Sequence, residues 1–203
     1  MGALVEDLRF RGLVNQVTDD SVFDRLDAGA MTAYIGFDPS ASSLGVGNLV
    51  QLCTLSRLQA AGNKPIALAG GGTGFIGDPS MRSEDRNLLD LGELESNLEG
   101  ISPQLKRFLD FSDLAGKSRA ILANNASWLG QIGLLAFLRE IGTRVTVNAM
   151  IRKESVRSRI EREGQGISFS EFSYMLLQAY DFVMLHEEHG CDLQLGGSDQ
   201  WGN

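Results

Sequence analysis

Residues 34–50 read Tyr-Ile-Gly-Phe-Asp-Pro-Ser-Ala-Ser-Ser-Leu-Gly-Val-Gly-Asn-Leu-Val, and the rest of the predicted fold is arranged around this segment. The apolar run that ends at Phe37 predicts a buried parallel strand, and Pro39 stops it because proline has no N–H to donate to a ladder. Apolar residues then recur at helical spacing from Val46 until Gly62, a residue suited to a helix C-terminus. The stretch therefore predicts a strand, a turn and a helix, in that order.

The turn places residues 45–48 at the predicted N-terminus of this helix, facing the end of the strand. Unpaired backbone N–H groups and the positive end of the helix dipole collect at such a position. Gly45 and Gly47 allow an anion to approach the backbone closely. The segment lacks the Gly-x-x-x-x-Gly-Lys-Ser/Thr pattern of a P-loop, so we predict a phosphate site of another kind.

Strands and helices alternate along the rest of the chain. We predict strands at 33–37, 65–69, 119–123 and 191–195 and helices at 4–17, 22–26, 46–61, 91–111, 128–141 and 168–185. Ser102 and Pro103 are expected to interrupt one helix, and Ser168 with Glu171 forms a capping box at the start of another. The strand–helix–strand order predicts an α/β fold, a Rossmann-like open parallel sheet with helices on both faces.

Composition limits the classes of protein to consider. The 203 residues are 43% hydrophobic, enough for one core, and the net charge of −8 is opposite to that of a dedicated nucleic-acid-binding module. The first residues are acidic and no apolar run is long enough to span a membrane, so we expect a soluble, cytoplasmic protein. Cys53 and Cys191 are expected to be reduced core residues. His186 and His189 lack a third ligand nearby, so no metal site is predicted.

A basic segment interrupts this acidic chain between residues 139 and 162. Its cationic side chains are Arg139, Arg144, Arg152, Lys153, Arg157, Arg159 and Arg162. A solvated helix face accounts for such a segment, and a contact with the acceptor arm of an RNA is the alternative. The sequence leaves both interpretations open.

A glycine-rich segment follows the second predicted strand. Residues 72–77 read Gly-Thr-Gly-Phe-Ile-Gly and match the dinucleotide fingerprint Gly-x-Gly-x-x-Gly. In that fingerprint the third glycine lies in the opening of a long apolar helix, whereas here Asp-Pro-Ser and then the polar residues 81–87 follow. The segment alone therefore does not predict a nicotinamide or flavin site.

Three motifs together resemble the bacterial-type tyrosyl-tRNA synthetases. They are Tyr34-x-Gly-Phe-Asp-Pro-Ser-Ala-x-Ser-Leu with the tetrad at 45–48, the glycine-rich segment 70–80, and Gly-Gly-Ser-Asp at 196–199. The resemblance spans nearly the whole chain. It implies a class I synthetase, which uses Mg-ATP to convert tyrosine into tyrosyl-adenylate and then transfers the acyl group to tRNA(Tyr).

The resemblance assigns the amino-acid pocket to particular residues. Tyr34 and Asp181 would bond the substrate phenol, with Asp181 accepting its proton, while Asp78, Tyr174 and Gln178 would hold the substrate ammonium. Independently of any resemblance, the spacing of residues 174, 178 and 181 places these three side chains on one face of the last predicted helix.

The resemblance also assigns the ATP site. The residues that it implies for nucleotide contacts are Gly36, Asp38, Ser40, Gly47, Asn48, Gly197 and Asp199. Asp199 would bond the ribose hydroxyls, and Gln194 with Gln200 would support the α-phosphate and the pocket. We expect Arg82 and Arg86 to flank the phosphates on a loop.

Phosphoryl chemistry depends on positioning and on stabilisation of charge, so the catalytic role would fall on residues beside the phosphates. These are Ser40, Gly45, Asn48, Arg82 and Arg86. The tetrad departs from the family at Gly45, where the family has a histidine that donates to the γ-phosphate. This chain offers no side-chain donor at that position.

By the same resemblance, the chain divides into a helical preface (1–30), a first nucleotide-binding half (31–125), a helical insertion (126–189) and the start of a second half (190–203). Because it stops at Asn203 within a strand-to-helix turn, we expect an incomplete catalytic domain with little activity alone, most tRNA contacts lying beyond it. The family is homodimeric through the insertion. The apolar helix predicted at 128–141 fits that contact and equally an ordinary core helix.

Other functions fit parts of the sequence. A non-catalytic nucleotide-binding or scaffolding protein on the same fold is suggested by Gly45, and an NAD-dependent oxidoreductase rests on residues 72–77 alone. The tryptophanyl enzyme shares the synthetase fold, but Tyr34 and Asp181 favour a phenol over an indole. Amino-acid and cofactor binding separate these alternatives.

Overall fold

The computed structural model describes residues 2–77, 90–153, 156–157, 160 and 166–201. Its four strands form one parallel sheet in the order β3-β2-β1-β4. The strands are β1 (Thr32–Phe37), β2 (Lys64–Ala69), β3 (Ile121–Asn124) and β4 (Leu193–Gln194). Tyr34 of β1 pairs with Ile66 of β2 on one side and with Gln194 of β4 on the other. The predicted open parallel sheet is confirmed.

Helices occupy the connections between the strands. In chain order they are α1 (Ala3–Phe10), α2 (Ser21–Asp27), α3 (Val46–Ala60), α4 (Thr73–Ile76), α5 (Leu91–Phe108), α6 (Ala126–Leu129), α7 (Leu134–Glu140), α8 (Val147–Ile151) and α9 (Phe169–His189). Short 3₁₀ turns lie at Asp113–Ser118, Gly142–Arg144 and Ser198–Gln200.

Helices cover both faces of the sheet. Successive residues of a strand point to opposite sides, so each strand supplies apolar side chains to both faces. On one face, Ile35 and Phe37 pack with buried leucines of α3 and α5. On the other face, Tyr34 and Ile66 pack with residues of α6 and α9, including Leu185. The face under α9 carries the polar groups considered below.

Helix α3 begins where the sequence predicts. Gly45 is extended, with φ −80° and ψ 176°, and its N–H donates to Oδ1 of Asn48 at 3.1 Å. At the other end Gly62 has a φ of +88°, a conformation that favours glycine, and the N–H of Asn63 reaches back to the carbonyl of Leu58. These two glycines therefore set the length of the helix.

Helix α9 begins with the predicted capping box. Oγ of Ser168 accepts from the N–H of Glu171 at 3.2 Å, and the Glu171 carboxylate accepts from the N–H of Ser168 at 2.7 Å. The helix ends at Gly190, whose φ of +65° turns the chain toward β4. The turn thus leads from α9 into β4, which pairs with β1.

The predicted interruption at Ser102 and Pro103 is wrong, since α5 runs continuously through both. Ile101 and Leu105 are buried against the core, and their packing offsets the backbone hydrogen bond that proline cannot make. The predicted first helix is too long, because Gly12 turns the chain with a φ of +68° just after α1.

The single helix predicted at 128–141 is also wrong. It is two short helices, α6 and α7, because glycines lie between them and Gly133 is extended. Trp128 of α6 is buried, whereas Leu134 and Leu135 of α7 are 69% and 81% exposed. The break turns the indole toward the sheet and leaves an apolar surface on α7.

Both cysteines are free thiols; Cys191 is buried, as predicted for a core residue, whereas Cys53 is only half-buried. His186 and His189 lie in the last turn of α9, and Nδ1 of His186 is 2.8 Å from the carbonyl oxygen of Cys191. Among the helices that the structure describes, none has the length and apolar character needed to cross a membrane.

Candidate functional site

The candidate site lies at the carboxyl ends of the parallel strands. Asp38 follows β1, residues 70–72 follow β2, Asn125 follows β3, and the turn around Gly197 follows β4. The connections leave β1 toward β2 on one side and return to β4 on the other. Open α/β sheets bind ligands at such a switch point, outside the carboxyl ends of the strands.

Asp181 lies on the inner face of α9. Its Oδ1 accepts from the indole Nε1 of Trp128 at 2.7 Å, and its Oδ2 accepts from Nδ2 of Asn125 at 2.9 Å. Burial raises the pKa of this carboxyl to about 7; the two hydrogen bonds oppose the rise, and the charge of Asp38 adds to it. The site therefore holds a buried acid that ionises near neutral pH.

Tyr34 is the second polar group in this interior. Its hydroxyl is buried and has no hydrogen-bond partner within the described part of the chain. Burial and the charge of Asp181 raise the pKa of the phenol above its usual value, and its ring centroid lies 5.6 Å from that of Phe182. A buried hydroxyl without a partner costs about 1–3 kcal/mol, so the position suits a ligand that supplies the partner.

Asp38 accepts hydrogen bonds from two different helices. The hydroxyl of Tyr174 in α9 donates to Oδ2 at 2.9 Å, and the hydroxyl of Thr73 in α4 donates to Oδ1 at 3.0 Å. A Cβ on Gly70 would collide with Oδ1 of Asp38 and lie 2.8 Å from Oγ1 of Thr73. The carboxylate can therefore occupy this place only because residue 70 is glycine.

The glycine-rich segment also serves the site through its backbone. The N–H of Gly72 donates to Oδ1 of Asn125 at 2.7 Å, and a side chain on Gly71 would collide with Asn124. Helix α4 has only four residues before it ends at Gly77. Residues 72–77 therefore lack the long helix on which the dinucleotide interpretation depends.

Gln178 lies between Tyr174 and Asp181 on the same face of α9, as the spacing predicts. Its Nε2 donates to Oε1 of Gln200 at 3.4 Å, and its Oε1 is buried without a partner among the described residues. Gln194 is half-buried in β4 beside β1. The structure thus brings these predicted pocket residues to one end of the sheet.

The residues predicted for the nucleotide line the open side of the site. Gly36 is exposed on the same face of β1 as Tyr34, and a Cβ at Gly36 or Gly47 would meet no described atom within 4 Å. Ser40 and Gly45 are exposed, whereas Asn48 and Gly197 are half-buried; the Gly197 carbonyl accepts from the N–H of Gln200 at 2.9 Å. A phosphate could approach this edge without steric conflict.

Some predicted residues cannot be placed. Asp78, Arg82, Arg86, Arg159, Arg162 and the side chain of Asp199 lie outside the described residues. Within the described ranges, no group of three or more His, Cys, Asp or Glu side chains is arranged to hold a metal ion.

Sequence reasoning missed three residues of the site, Thr73, Asn125 and Trp128. All three are buried and contact one of the two carboxylates. A signal was available for Asn125, a polar residue directly after a predicted parallel strand, because such residues lie at the ligand-binding edge. The indole of Trp128 carries no comparable signal, since its direction depends on the break between α6 and α7.

The fold and the site define a Rossmann-like α/β domain with a cluster of buried polar groups under α9. The chain belongs to the tRNA synthetases class I (W and Y), whose family model matches residues 26–203. The tyrosine–tRNA ligase of Rhodopirellula baltica is 54% identical over 202 residues, which are 99% of this chain and 45% of that protein. That of Roseiflexus castenholzii is 54% identical over 203 residues, 100% of this chain and 47% of that protein.

Solved structures show the same relationship. A C-terminally truncated mitochondrial tyrosyl-tRNA synthetase from Aspergillus nidulans superposes with a TM-score of 0.81 at 31% identity. The match covers 98% of this chain and 58% of that one. The chain thus spans a little under half the length of the curated relatives that it matches.

Proposed function

We propose that this chain forms the tyrosine- and ATP-binding part of a tyrosine–tRNA ligase. The names of its relatives support this, as do the buried polar groups under α9 and the open edge beside Gly36 and Gly47. The observation that carries the proposal is the buried Tyr34 hydroxyl, unpartnered among the described residues, beside the charge of Asp181. A substrate phenol would complete both groups.

The phenol end selects tyrosine in this proposal. The Asp181 carboxylate accepts the substrate O–H, and Tyr34 donates its own O–H to the substrate oxygen. Phenylalanine would fill the same space but leave buried groups unpaired, at a cost of about 1–3 kcal/mol for each. The indole of tryptophan is larger than a phenol and would run into the hydrogen-bonded side chains of Asp181 and Trp128.

The ammonium end uses acceptors that face the same pocket. Oε1 of Gln178, which is buried and unpaired within the described residues, is one such acceptor. The Tyr174 hydroxyl donates its hydrogen to Asp38, and a hydroxyl oxygen is also a hydrogen-bond acceptor. Asp78 would provide the third contact and the negative charge that a cation requires.

ATP would bind along the open edge as its magnesium complex. Gly36 and Gly47 would allow close approach, because a Cβ at either would meet no described atom within 4 Å, and Gly197 would lie along the same edge. Ser40, Asn48, Arg82 and Arg86 would face the phosphates and Asp199 the ribose. An oxygen of the tyrosine carboxylate would attack the α-phosphorus, the bond from that phosphorus to the α,β-bridging oxygen would break, and pyrophosphate would leave with that oxygen. Arrangement and charge stabilisation by the protein account for the acceleration.

The tRNA and a second copy of the chain are the proposed macromolecular partners. Basic residues Arg139, Arg144 and Arg152 are exposed and suit an RNA backbone. Leu134, Leu135 and Leu138 of α7 are 69%, 81% and 45% exposed, and an apolar surface of this kind suits a homodimer. We also infer a cytoplasmic location, where tRNA is charged.

Calorimetric titration of the 203-residue chain with L-tyrosine tests the proposal. We expect L-tyrosine to bind at least tenfold more tightly than L-phenylalanine or L-tryptophan, a difference of about 1.4 kcal/mol. Asp181→Ala should abolish that preference, while Asp113→Ala, at an exposed carboxylate on the far end of the sheet, should preserve it. Equal affinity for the three amino acids would refute the assignment. If ATP binds and none of the three amino acids does, the scaffolding alternative is favoured.

A further inference from the structure

We propose that Thr73 is a positioning residue that joins the two ends of the tyrosine pocket. Its hydroxyl, held between Asn125 and Asp38, fixes the direction in which Asn125 donates to Asp181. The inference rests on the proposed function, because it assigns a role within the tyrosine site.

The evidence is a continuous chain of hydrogen bonds between the two carboxylates. Nδ2 of Asn125 donates to Oδ2 of Asp181 at 2.9 Å and to Oγ1 of Thr73 at 2.9 Å. The Thr73 hydroxyl then donates to Oδ1 of Asp38 at 3.0 Å, and the Tyr174 hydroxyl donates to the other oxygen. One threonine hydroxyl thus connects Asp181, proposed for the phenol, to Asp38, whose other oxygen accepts from the Tyr174 hydroxyl proposed for the ammonium.

Each link has a defined direction. The N–H of Gly72 donates to Oδ1 of Asn125 at 2.7 Å, so the amide oxygen is committed and both hydrogens of Nδ2 face Thr73 and Asp181. The threonine oxygen must accept from this amide, and it therefore turns its own hydrogen toward Asp38. A side chain without a hydroxyl would leave one amide hydrogen and one carboxylate oxygen without this partner.

Burial makes these bonds consequential. Thr73, Asn125 and Asp181 are 3%, 1% and 2% exposed. Water therefore cannot readily replace a missing hydroxyl, and hydrogen bonds in such a medium are stronger than at the surface. Because a Cβ at Gly70 would lie 2.8 Å from Oγ1 of Thr73, the backbone beside the hydroxyl is also closely fitted.

The chain also provides an electrostatic link. The charge of Asp38 contributes to the raised pKa of Asp181, and the charge of Asp181 contributes to the raised pKa of Tyr34. A cation bound beside Asp38 would offset its charge and favour the ionised Asp181 that accepts a phenol. Recognition of the ammonium would thereby strengthen recognition of the phenol at the other end.

The test compares Thr73→Val, which keeps the shape but removes the hydroxyl, with Thr73→Ser, which keeps the hydroxyl. The readout is the ratio of the dissociation constants for L-phenylalanine and L-tyrosine, measured by titration of the 203-residue chain. We expect Thr73→Ser to stay within twofold of the unmodified chain and Thr73→Val to lower the ratio at least tenfold. A merely structural role would weaken both amino acids equally and leave the ratio unchanged.

A ratio for Thr73→Val within twofold of the unmodified chain would overturn the inference. Circular dichroism confirms that each variant is folded, and Thr73→Ala replaces the valine variant under the same criterion if that variant does not fold. The two proposals fail in different ways. If the unmodified chain does not prefer tyrosine to phenylalanine, the proposed function is refuted. If the unmodified chain prefers tyrosine and Thr73→Val keeps the same preference, the role of Thr73 alone is refuted.

Discussion

Tyr34 of β1 and Asp181 of α9 meet in the interior with 2% of each residue exposed, although they lie far apart in the chain. Asp181 receives hydrogen bonds from Asn125 and Trp128, whereas the Tyr34 hydroxyl receives and donates none within the described residues. Burial raises the pKa of the Tyr34 hydroxyl and the pKa of the Asp181 carboxyl, so it disfavours the charged form of each. The pair thus lowers stability in the free protein at a position where a ligand hydroxyl would restore it.

Tyr34→Phe should separate stability from binding. Removal of a buried, unpaired hydroxyl should raise the free energy of unfolding by about 1 kcal/mol, because its desolvation is no longer uncompensated. The same change should weaken L-tyrosine at least tenfold, while leaving L-phenylalanine within twofold. Urea unfolding and calorimetry measure the two effects. Tyr180→Phe, at a half-buried tyrosine on the same helix as Asp181, is the control, and a loss of stability in Tyr34→Phe would contradict this interpretation.

Asp181 should give the stability of the protein an unusual dependence on pH. Its pKa is about 7 in the folded state, whereas a free aspartic acid has a pKa of 3.8, so the folded protein binds this proton more tightly than the unfolded chain does. Protonated Asp181 therefore adds to the free energy of unfolding. This contribution is fully present below about pH 4 and is lost as the pH rises through about 7, by about 1.4 kcal/mol per pH unit.

Asp181→Asn removes this titration. We therefore expect the free energy of unfolding of the variant, minus that of the unmodified chain, to increase between pH 4.5 and 7.5 in urea titrations, with all other groups in common. Asp113→Asn, at an exposed carboxylate, should show no such trend. If the free energies of unfolding of the Asp181 variant and the unmodified chain change in parallel with pH, the pKa of Asp181 is not raised in the folded protein.

Gly70→Ala and Gly47→Ala should behave in opposite ways. A Cβ at Gly70 collides with Asp38, so this variant should lose several kcal/mol of stability and its binding of tyrosine. A Cβ at Gly47 meets no described atom and lies within α3, so alanine there should stabilise the chain by up to about 1 kcal/mol. The second variant should nevertheless bind ATP more weakly, because a methyl group obstructs the proposed approach of the phosphates. Unchanged ATP affinity would place the phosphates elsewhere.

Gly45→His tests the first position of the tetrad. The backbone of Gly45 is extended at negative φ and a Cβ there meets only Oδ1 of Asn48 at 3.8 Å, so histidine should change stability by less than about 0.5 kcal/mol. An added donor beside the leaving pyrophosphate is worth about 10² to 10³ in rate. In a chain extended to the length of the relatives, kcat for pyrophosphate exchange should rise while the Kd for tyrosine stays constant. A tenfold weaker tyrosine Kd would mean that residue 45 lies nearer the amino acid than proposed.

Most of the fold was accessible from local chemistry. The structure confirms the predicted strand β1, the start of α3 after Gly45 and the capping box of Ser168. These predictions succeed because each feature depends on residues close in sequence. The errors occurred where packing competes with local preference. Burial of α5 keeps Pro103 inside a helix, and glycines divide the helix that apolar periodicity predicts after Asn125.

Periodicity and the residues at element ends are enough to specify the alternation of strands and helices, the parallel sheet and the shared face of Tyr174, Gln178 and Asp181. Which polar groups contact one another depends on long-range packing. The bond from Tyr174 to Asp38 spans 136 positions, and those from Asn125 to Thr73 and Asp181 span 52 and 56. The raised pKa of Asp181 likewise requires the complete core, since desolvation comes from every element packed around the carboxyl.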